Sequence, residues 1–188
     1  MKISTSQMAK LPTRFGHFQV QAFREGDKEH LVIRTPHLCE IPLVRVHSEC
    51  LTGDAIGSLR CDCRDQLNEA LKMIDQTGCG MVIYLRQEGR GIGLLNKINA
   101  YHLQDNGLDT VEANHQLGFP DDLRSYEIVD YILHYYGVTK IRLLTNNPSK
   151  LEKIKGVKIV ERVPLVIPPN EHNAFYLATK KEKSRHIL

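Results

Sequence analysis

At 188 residues the chain is long enough for one well-cored domain, and its 41% apolar and 25% charged residues are ordinary for a globular protein. A formal net charge of +3 is too small to call for a polyanionic surface, so nucleic acid is not an expected partner. The longest apolar run, Met81 to Leu85, is far too short to span a bilayer and the N-terminus has no signal-peptide core, so a cytoplasmic location with no membrane partner is expected.

The first third reads as strands. His17 to Phe23 alternates apolar with polar, Leu31 to Arg34 is short and β-branched, and Pro42 to Val46 runs into a cysteine-rich stretch. Leu67, Ala70, Leu71 and Ile74 then recur at helical spacing up to Gly78, and MVIYLR at 81–86 is a buried-strand pattern. A second helix is expected through LLNKINAYHLQD, closed by Asn106-Gly107, and a third through SYEIVDYILHYY, closed by Gly137. IRLLT at 141–145 is another strand. Asn146-Asn147-Pro148 turns it into a short helix that stops at Gly156, before a last strand pair from Val157 to Val166. Strands alternating with helices predict an α/β fold, a single layered domain over 1–188 with helices packed on a mixed β-sheet. The apolar strip Ile128, Tyr131, Ile132 and Tyr135 is either core or dimer surface, and the last residues, KKEKSRHIL at 180–188, read as a charged tail of low order.

Three of the five cysteines, Cys50, Cys61 and Cys63, fall within the stretch HSECLTGDAIGSLRCDC. An odd cysteine count without an export signal argues for reduced thiols, and Cys39 and Cys79 are expected to be small packing residues. Structural zinc sites close with four ligands, whereas Cys-x10-Cys-x-Cys offers three, the number a catalytic zinc keeps beside an open position. Spacing alone leaves other readings open: a histidine such as His47 or His115 closing the site, or unligated cysteines. A disulfide-exchange role is disfavoured, because Cys61-x-Cys63 is not C-x-x-C and is expected to precede its helix rather than open it.

Together, RVHSECLTGDAIGSLRCDC (45–63), RQEGRGIGLLNKINAYHLQD (86–105), DTVEANHQLGF (109–119) and LLTNNPSK (143–150) closely resemble GTP cyclohydrolase II, over about Lys10 to Pro164. That family opens the imidazole ring of GTP at the start of riboflavin synthesis, releasing formate and pyrophosphate. The resemblance implies a monofunctional zinc enzyme, typically a homodimer, with Cys50, Cys61 and Cys63 as zinc ligands and Mg²⁺ accompanying the triphosphate. It places Tyr101 near the reacting ring, and gives Asp122 and Arg124, in FPDDLRSY, as general base and as nucleophile toward the α-phosphate. Guanidinium is a poor nucleophile, so Arg124 can equally act as a charge clamp. GTP-contacting positions carried over are Arg45, Val46, His47, Ser48, Glu49, Gln66, Glu88, Gly89, Arg90, Thr110, Thr145 and Lys150.

Without the resemblance, Tyr101 reads as a core or interface residue, Asp-Asp-x-Arg as a solvated turn, and QEGRGIG as a turn lacking the P-loop pattern. Guanine presents N1–H and N2–H₂ side by side, which a carboxylate can read; Glu88 is the first candidate and Glu49 the second. Arg64 is a departure: the family commonly has glycine there, and a positive φ would strain the loop beside Cys63. Two competing readings remain. A zinc-stabilised nucleic-acid-binding module would want a fourth ligand and a concentrated basic face, but the basic residues are spread out and aromatics are only 6%. The other is a GTP-binding relative that does not complete ring opening.

Overall fold

Strands spread from Ile3 to Val163 build one eight-stranded mixed sheet, the early β3 alternating in burial and the central β5 and β6 buried almost throughout. The computed structural model describes residues 2–169 together with 172 and 173, so the tail expected at 180–188 lies outside the described residues. In chain order the elements are β1 (Ile3–Thr5), β2 (Ala9–Thr13), β3 (Gly16–Glu25), β4 (Lys28–Arg34), β5 (Leu43–Ser48), α1 (Leu51–Asp54), α2 (Cys63–Thr77), β6 (Gly80–Leu85), a 3₁₀ turn (Glu88–Gly91), α3 (Gly93–Asp105), α4 (Thr110–Gln116), α5 (Glu127–Tyr135), β7 (Lys140–Leu144), α6 (Pro148–Lys153) and β8 (Lys158–Val163).

The sheet order is β1-β3-β4-β6-β5-β7-β8, with β2 also paired to β3. Pairings from β1 to β6 are antiparallel, and those joining β6, β5, β7 and β8 are parallel. β3 and β4 form a hairpin across Gly26-Asp27, where Gly26 takes φ +58°, a conformation that costs glycine nothing. The chain leaves β5 through α2 to pair β6 on one side, then returns through α3, α4 and α5 to pair β7 on the other. A crevice forms at the carboxyl ends of such strands, where the winding direction reverses.

Alternation along the central strands sorts the core into two layers. Val44, Val46, Met81, Ile83 and Leu85 pack with Ile128, Val129, Ile132 and Leu133 of α5. On the other face, Leu43 and Val82 pack with Ala70, Leu71 and Ile74 of α2. Arg45 and His47 share the parity of Leu43 and therefore project to the α2 face, buried at its carboxyl end.

Several expectations are corrected. The strand pair after Gly156 is one strand, β8: Pro164 lacks an N–H, and Leu165 is held instead by the Asn146 side chain, which accepts from Leu165 N at 3.0 Å. Cys63 opens α2 rather than preceding it. Cys39 and Cys79 are joined in a disulfide, with Cα atoms 5.9 Å apart. Parallel pairing of Leu43 with Gly80 carries the two entering loops side by side, at a separation a bridge can span. The apolar strip on α5 divides: Ile128 and Ile132 are core, while Tyr131 and Tyr135 are half exposed.

Candidate active site

β5 ends directly in the cysteine stretch, so Cys50 sits at the mouth of the crevice as the residue preceding α1. Cys61 lies in the loop beyond α1, and the first turn of α2 carries Cys63. Their sulfur atoms lie within 4.8 Å of one another, the one grouping of metal-ligating side chains among the described residues. The Cys50–Cys61 sulfur separation of 3.6 Å is close to the ~3.8 Å enclosed by two bonds of about 2.3 Å at a tetrahedral zinc. Gly53 makes this possible. A Cβ there would stand 2.7 Å from Cys61 Sγ, 3.1 Å from Cys50 Sγ and 3.2 Å from Cys63 Cβ. The trio thus has the donor type, spacing and clearance of a three-thiolate metal site.

Hydrogen bonds from Cys61 and Cys63, with the charge of Lys97 adding, hold the Cys50 thiol well below its usual range despite burial. Cys61 is pushed up to about 11, first by its hydrogen bond to Cys50 and further by burial.

Neither histidine weighed as a fourth ligand reaches the trio. His47 Nε2 lies 3.1 Å from Asp54 Oδ1 and its ring stacks on Tyr84 at 5.4 Å, while His115 pairs with Asp121 at the surface. Burial, opposed by the hydrogen bond of Asp54, holds the His47 imidazole below its ordinary value, so Nε2–H donates to the carboxylate and Nδ1 is a buried acceptor with no hydrogen bond among the described residues. Asp54 also accepts from Tyr84 Oη at 2.7 Å and Cys50 N at 3.0 Å. It thereby fixes the backbone of Cys50 and the tautomer of His47 together.

Arg64 takes no positive φ; among non-glycine residues described, only Arg90 does. Its place in the first turn of α2 lets Nε and Nη2 donate to the carbonyls of Asp54 and Ala55, at 3.2 and 3.0 Å. Arg64 therefore closes the open end of α1 without strain.

A cavity of about 300 Å³ opens from the trio. Of the expected positions, Arg45, His47, Ser48, Glu49, Gln66, Glu88, Gly89, Arg90, Tyr101, Thr110, Arg124, Thr145 and Lys150 line it with the three cysteines. Two do not. Val46 belongs to the α5 core layer and offers its carbonyl, which accepts from Lys150 Nζ at 2.7 Å; Asp122 stands behind Arg124.

Tyr101 reaches the trio through one hydroxyl. Its Oη lies 3.2 Å from Thr52 Oγ1, itself 3.8 Å from Cys50 Sγ, and the Arg60 guanidinium lies 4.6 Å from the centre of its ring. Burial raises the Tyr101 phenol above its usual range, so it remains a protonated donor at neutral pH. Arg124 donates from Nε and Nη2 to the two Asp122 oxygens at 2.8 and 2.9 Å, and its Nη1 is 3.4 Å from Ser48 Oγ. Burial works to raise Asp122, but the hydrogen bonds and charge of Arg124 outweigh it and hold the carboxyl below its usual range. Arg45 is buried, which lowers it to about 10, and donates to Leu144 O at 3.1 Å and Gln66 Oε1 at 2.5 Å. Lys97, Asp54 and Gly53 went unnoticed in the sequence, although the period of α3 does place Lys97 one turn before Tyr101.

The GTP cyclohydrolase II family model matches residues 4–164. A GTP cyclohydrolase-2 of Campylobacter hominis is 64% identical over 188 residues, covering 100% of this chain and 97% of the relative. One from Campylobacter fetus subsp. fetus is 61% identical, with 100% and 97% covered, and one from Helicobacter pylori is 56% identical, with 100% and 99% covered. The chain belongs to the GTP cyclohydrolase II family, and with it to the hydrolases. No helix among the described residues is long and apolar enough to cross a membrane.

Proposed function

We propose that this chain, acting as one cyclohydrolase domain, hydrolyses GTP at two places, opening the guanine imidazole ring with loss of formate and cleaving the triphosphate with loss of pyrophosphate. The observation that carries this reading is the convergence of three thiols, Tyr101 and Arg124 on one cavity at the carboxyl ends of β5, β6 and β7. One water adds at C8 of the purine, a second hydrolyses the resulting formamide, and a third cleaves the α–β phosphoanhydride.

Cys50, Cys61 and Cys63 would hold one zinc ion, which when bound supplies Lewis acidity and a nucleophile usable at neutral pH. Tyr101, a protonated phenol beside the trio, donates its proton to a purine nitrogen as C8 becomes tetrahedral. Both oxygens of Asp122 are committed to one edge of the Arg124 guanidinium, so we assign it to orienting that group; Arg124, always protonated, then clamps the charge developing on the α-phosphoryl. Arg90 and Lys150 serve the rest of the triphosphate. Mg²⁺ enters on the nucleotide oxygens rather than in a protein cage.

A chromatographic run measuring GMP, pyrophosphate and formate tests this division. Tyr101→Phe should keep pyrophosphate release while formate falls about 10²-fold or more and GMP accumulates. Arg124→Ala should slow pyrophosphate release first. Equal loss of all products in Tyr101→Phe would show that the two halves are not separable, and wild type giving neither formate nor pyrophosphate would remove the enzymatic reading.

The homodimer implied by the resemblance we place on the outer face of α3, where Leu95 is 76% and Ile98 46% exposed. Sedimentation of Leu95→Glu at micromolar concentration should show the monomer where wild type sediments as a dimer. A variant that remains dimeric puts the interface elsewhere.

A further inference from the structure

Lys97 lies on the buried side of a helix that turns three large aliphatic residues outward. Along α3, Leu94, Leu95 and Ile98 are exposed, while Lys97 is 8% exposed and shares the inner face with Ala100. An ammonium is withdrawn from water at high cost unless it is fully paired, so an inward lysine in place of an available leucine needs a compensating set of partners.

Those partners are functional groups. Lys97 Nζ donates to Glu88 Oε1 at 2.7 Å and to Cys50 Sγ at 3.1 Å, and lies 5.6 Å from the centre of the Tyr101 ring. Glu88 extends the arrangement: Oε1 also accepts from Gly89 N at 2.9 Å, and Oε2 accepts from Leu51 N at 2.7 Å. Leu51 directly follows Cys50, so the Lys97–Glu88 pair grips that ligand twice, by its sulfur and by the peptide that follows it. Space for this is reserved at Gly89, where a Cβ would meet Lys97 Cβ at 3.1 Å and Ile92 Cγ1 at 3.0 Å.

We propose that Lys97 is a positioning residue of the metal centre: its ammonium fixes the Cys50 sulfur through a charge-assisted N–H···S hydrogen bond and, with Glu88, aims that ligand at Cys61 and Cys63. The inference rests on the reading of the trio as a metal site. Three thiolates around a dication carry one net negative charge, and a cation at hydrogen-bond distance from one sulfur offsets it where it resides. Such outer contacts orient a ligand and tune how much electron density it gives the metal.

Cobalt(II) is the probe, because its sulfur-to-metal charge-transfer absorption reports the energy of the sulfur lone pairs directly. A hydrogen bond lowers that energy, so losing it moves the band to longer wavelength. Lys97→Met alone would leave the Glu88 carboxylate buried without its counter-charge, so the informative variant is Lys97→Met/Glu88→Gln, which removes both charges. It should bind cobalt(II) with a band moved to longer wavelength and, in competition with a chelator, with roughly 10- to 100-fold weaker affinity. Lys97→Arg, which keeps a cationic donor, should recover most of both. A double variant with wild-type band position and affinity overturns the proposal. Should the double variant not fold, Lys97→Gln decides, since an amide keeps a donor for Glu88 and brings no charge to the sulfur; an unchanged band there overturns the proposal equally. Wild-type protein that shows no sulfur–cobalt band would overturn the metal-site reading itself, a result distinct from failure of the lysine.

Discussion

A carboxylate can read guanine only with oxygens that are free to accept from the base. Glu88, ranked first from the sequence, accepts from Lys97, Gly89 and Leu51 within the protein, whereas the pairing shown for Glu49 among the described residues is of Oε1 with Arg86, at 2.9 Å. We therefore assign the N1–H and N2–H₂ edge to Glu49. Glu49→Gln sets a donor against donors and should cost GTP about 1–3 kcal/mol of preference over ATP, read as the ratio of the two turnovers. Glu88→Gln should leave that ratio unchanged and weaken metal retention instead; the opposite pattern returns the base to Glu88. The thiols, Tyr101 and Arg124 were legible because motifs in fixed order point to them. Lys97 and Asp54 were not, since a lysine between leucines and an aspartate in a loop acquire meaning only from what folds against them. The cysteines outside the trio went astray for a similar reason: the register of β5 on β6, which sets Cys39 beside Cys79, leaves no local trace in the chain.

Among the elements, those with a repeating apolar face could be read in advance. α2, α5, β6 and β7 fall where periodicity puts them, because each buries one stripe or both faces. α1 has four residues and α4 seven, too few for a period to register. For α4 a signal was present nonetheless: Asp109 accepts from Val111 N and Glu112 N at 2.8 and 3.0 Å, and the Glu112 carboxylate accepts in turn from Asp109 N at 2.9 Å, a capping box written D-x-x-E. α1 is the shortest α-helix among the described residues and is tightly constrained by the site, since its Gly53 leaves room for the sulfurs of Cys50 and Cys61. Gly53→Ala keeps a helix-compatible backbone yet drives a methyl into Cys61 Sγ. Metal content should fall well below that of wild type while far-ultraviolet circular dichroism stays unchanged. Full metal content in that variant would show that the trio tolerates a methyl at its centre, contrary to the geometry.

Over the whole molecule, the parallel strands divide labour between their ends. Their amino ends carry the Cys39–Cys79 bridge, and their carboxyl ends carry the thiol trio, Glu88 and Thr145, as expected where β5 is flanked by strands reached in opposite directions. The α/β class and the mixed sheet were readable from alternating elements, but strand order was not, because pairing between β5 and β7 joins segments separated by β6 and the helices α1 to α5. On the proposed reading this crevice holds a catalytic metal on Cys50, Cys61 and Cys63. That reading is tested most directly by measuring zinc per chain and formate released from GTP in wild type and in Cys61→Ser. Wild type should carry about one zinc, by the count of one three-thiolate site, and release formate; Cys61→Ser should lose both together. Cys61→Ser protein that keeps its zinc and its full formate release would show that the chemistry lies elsewhere.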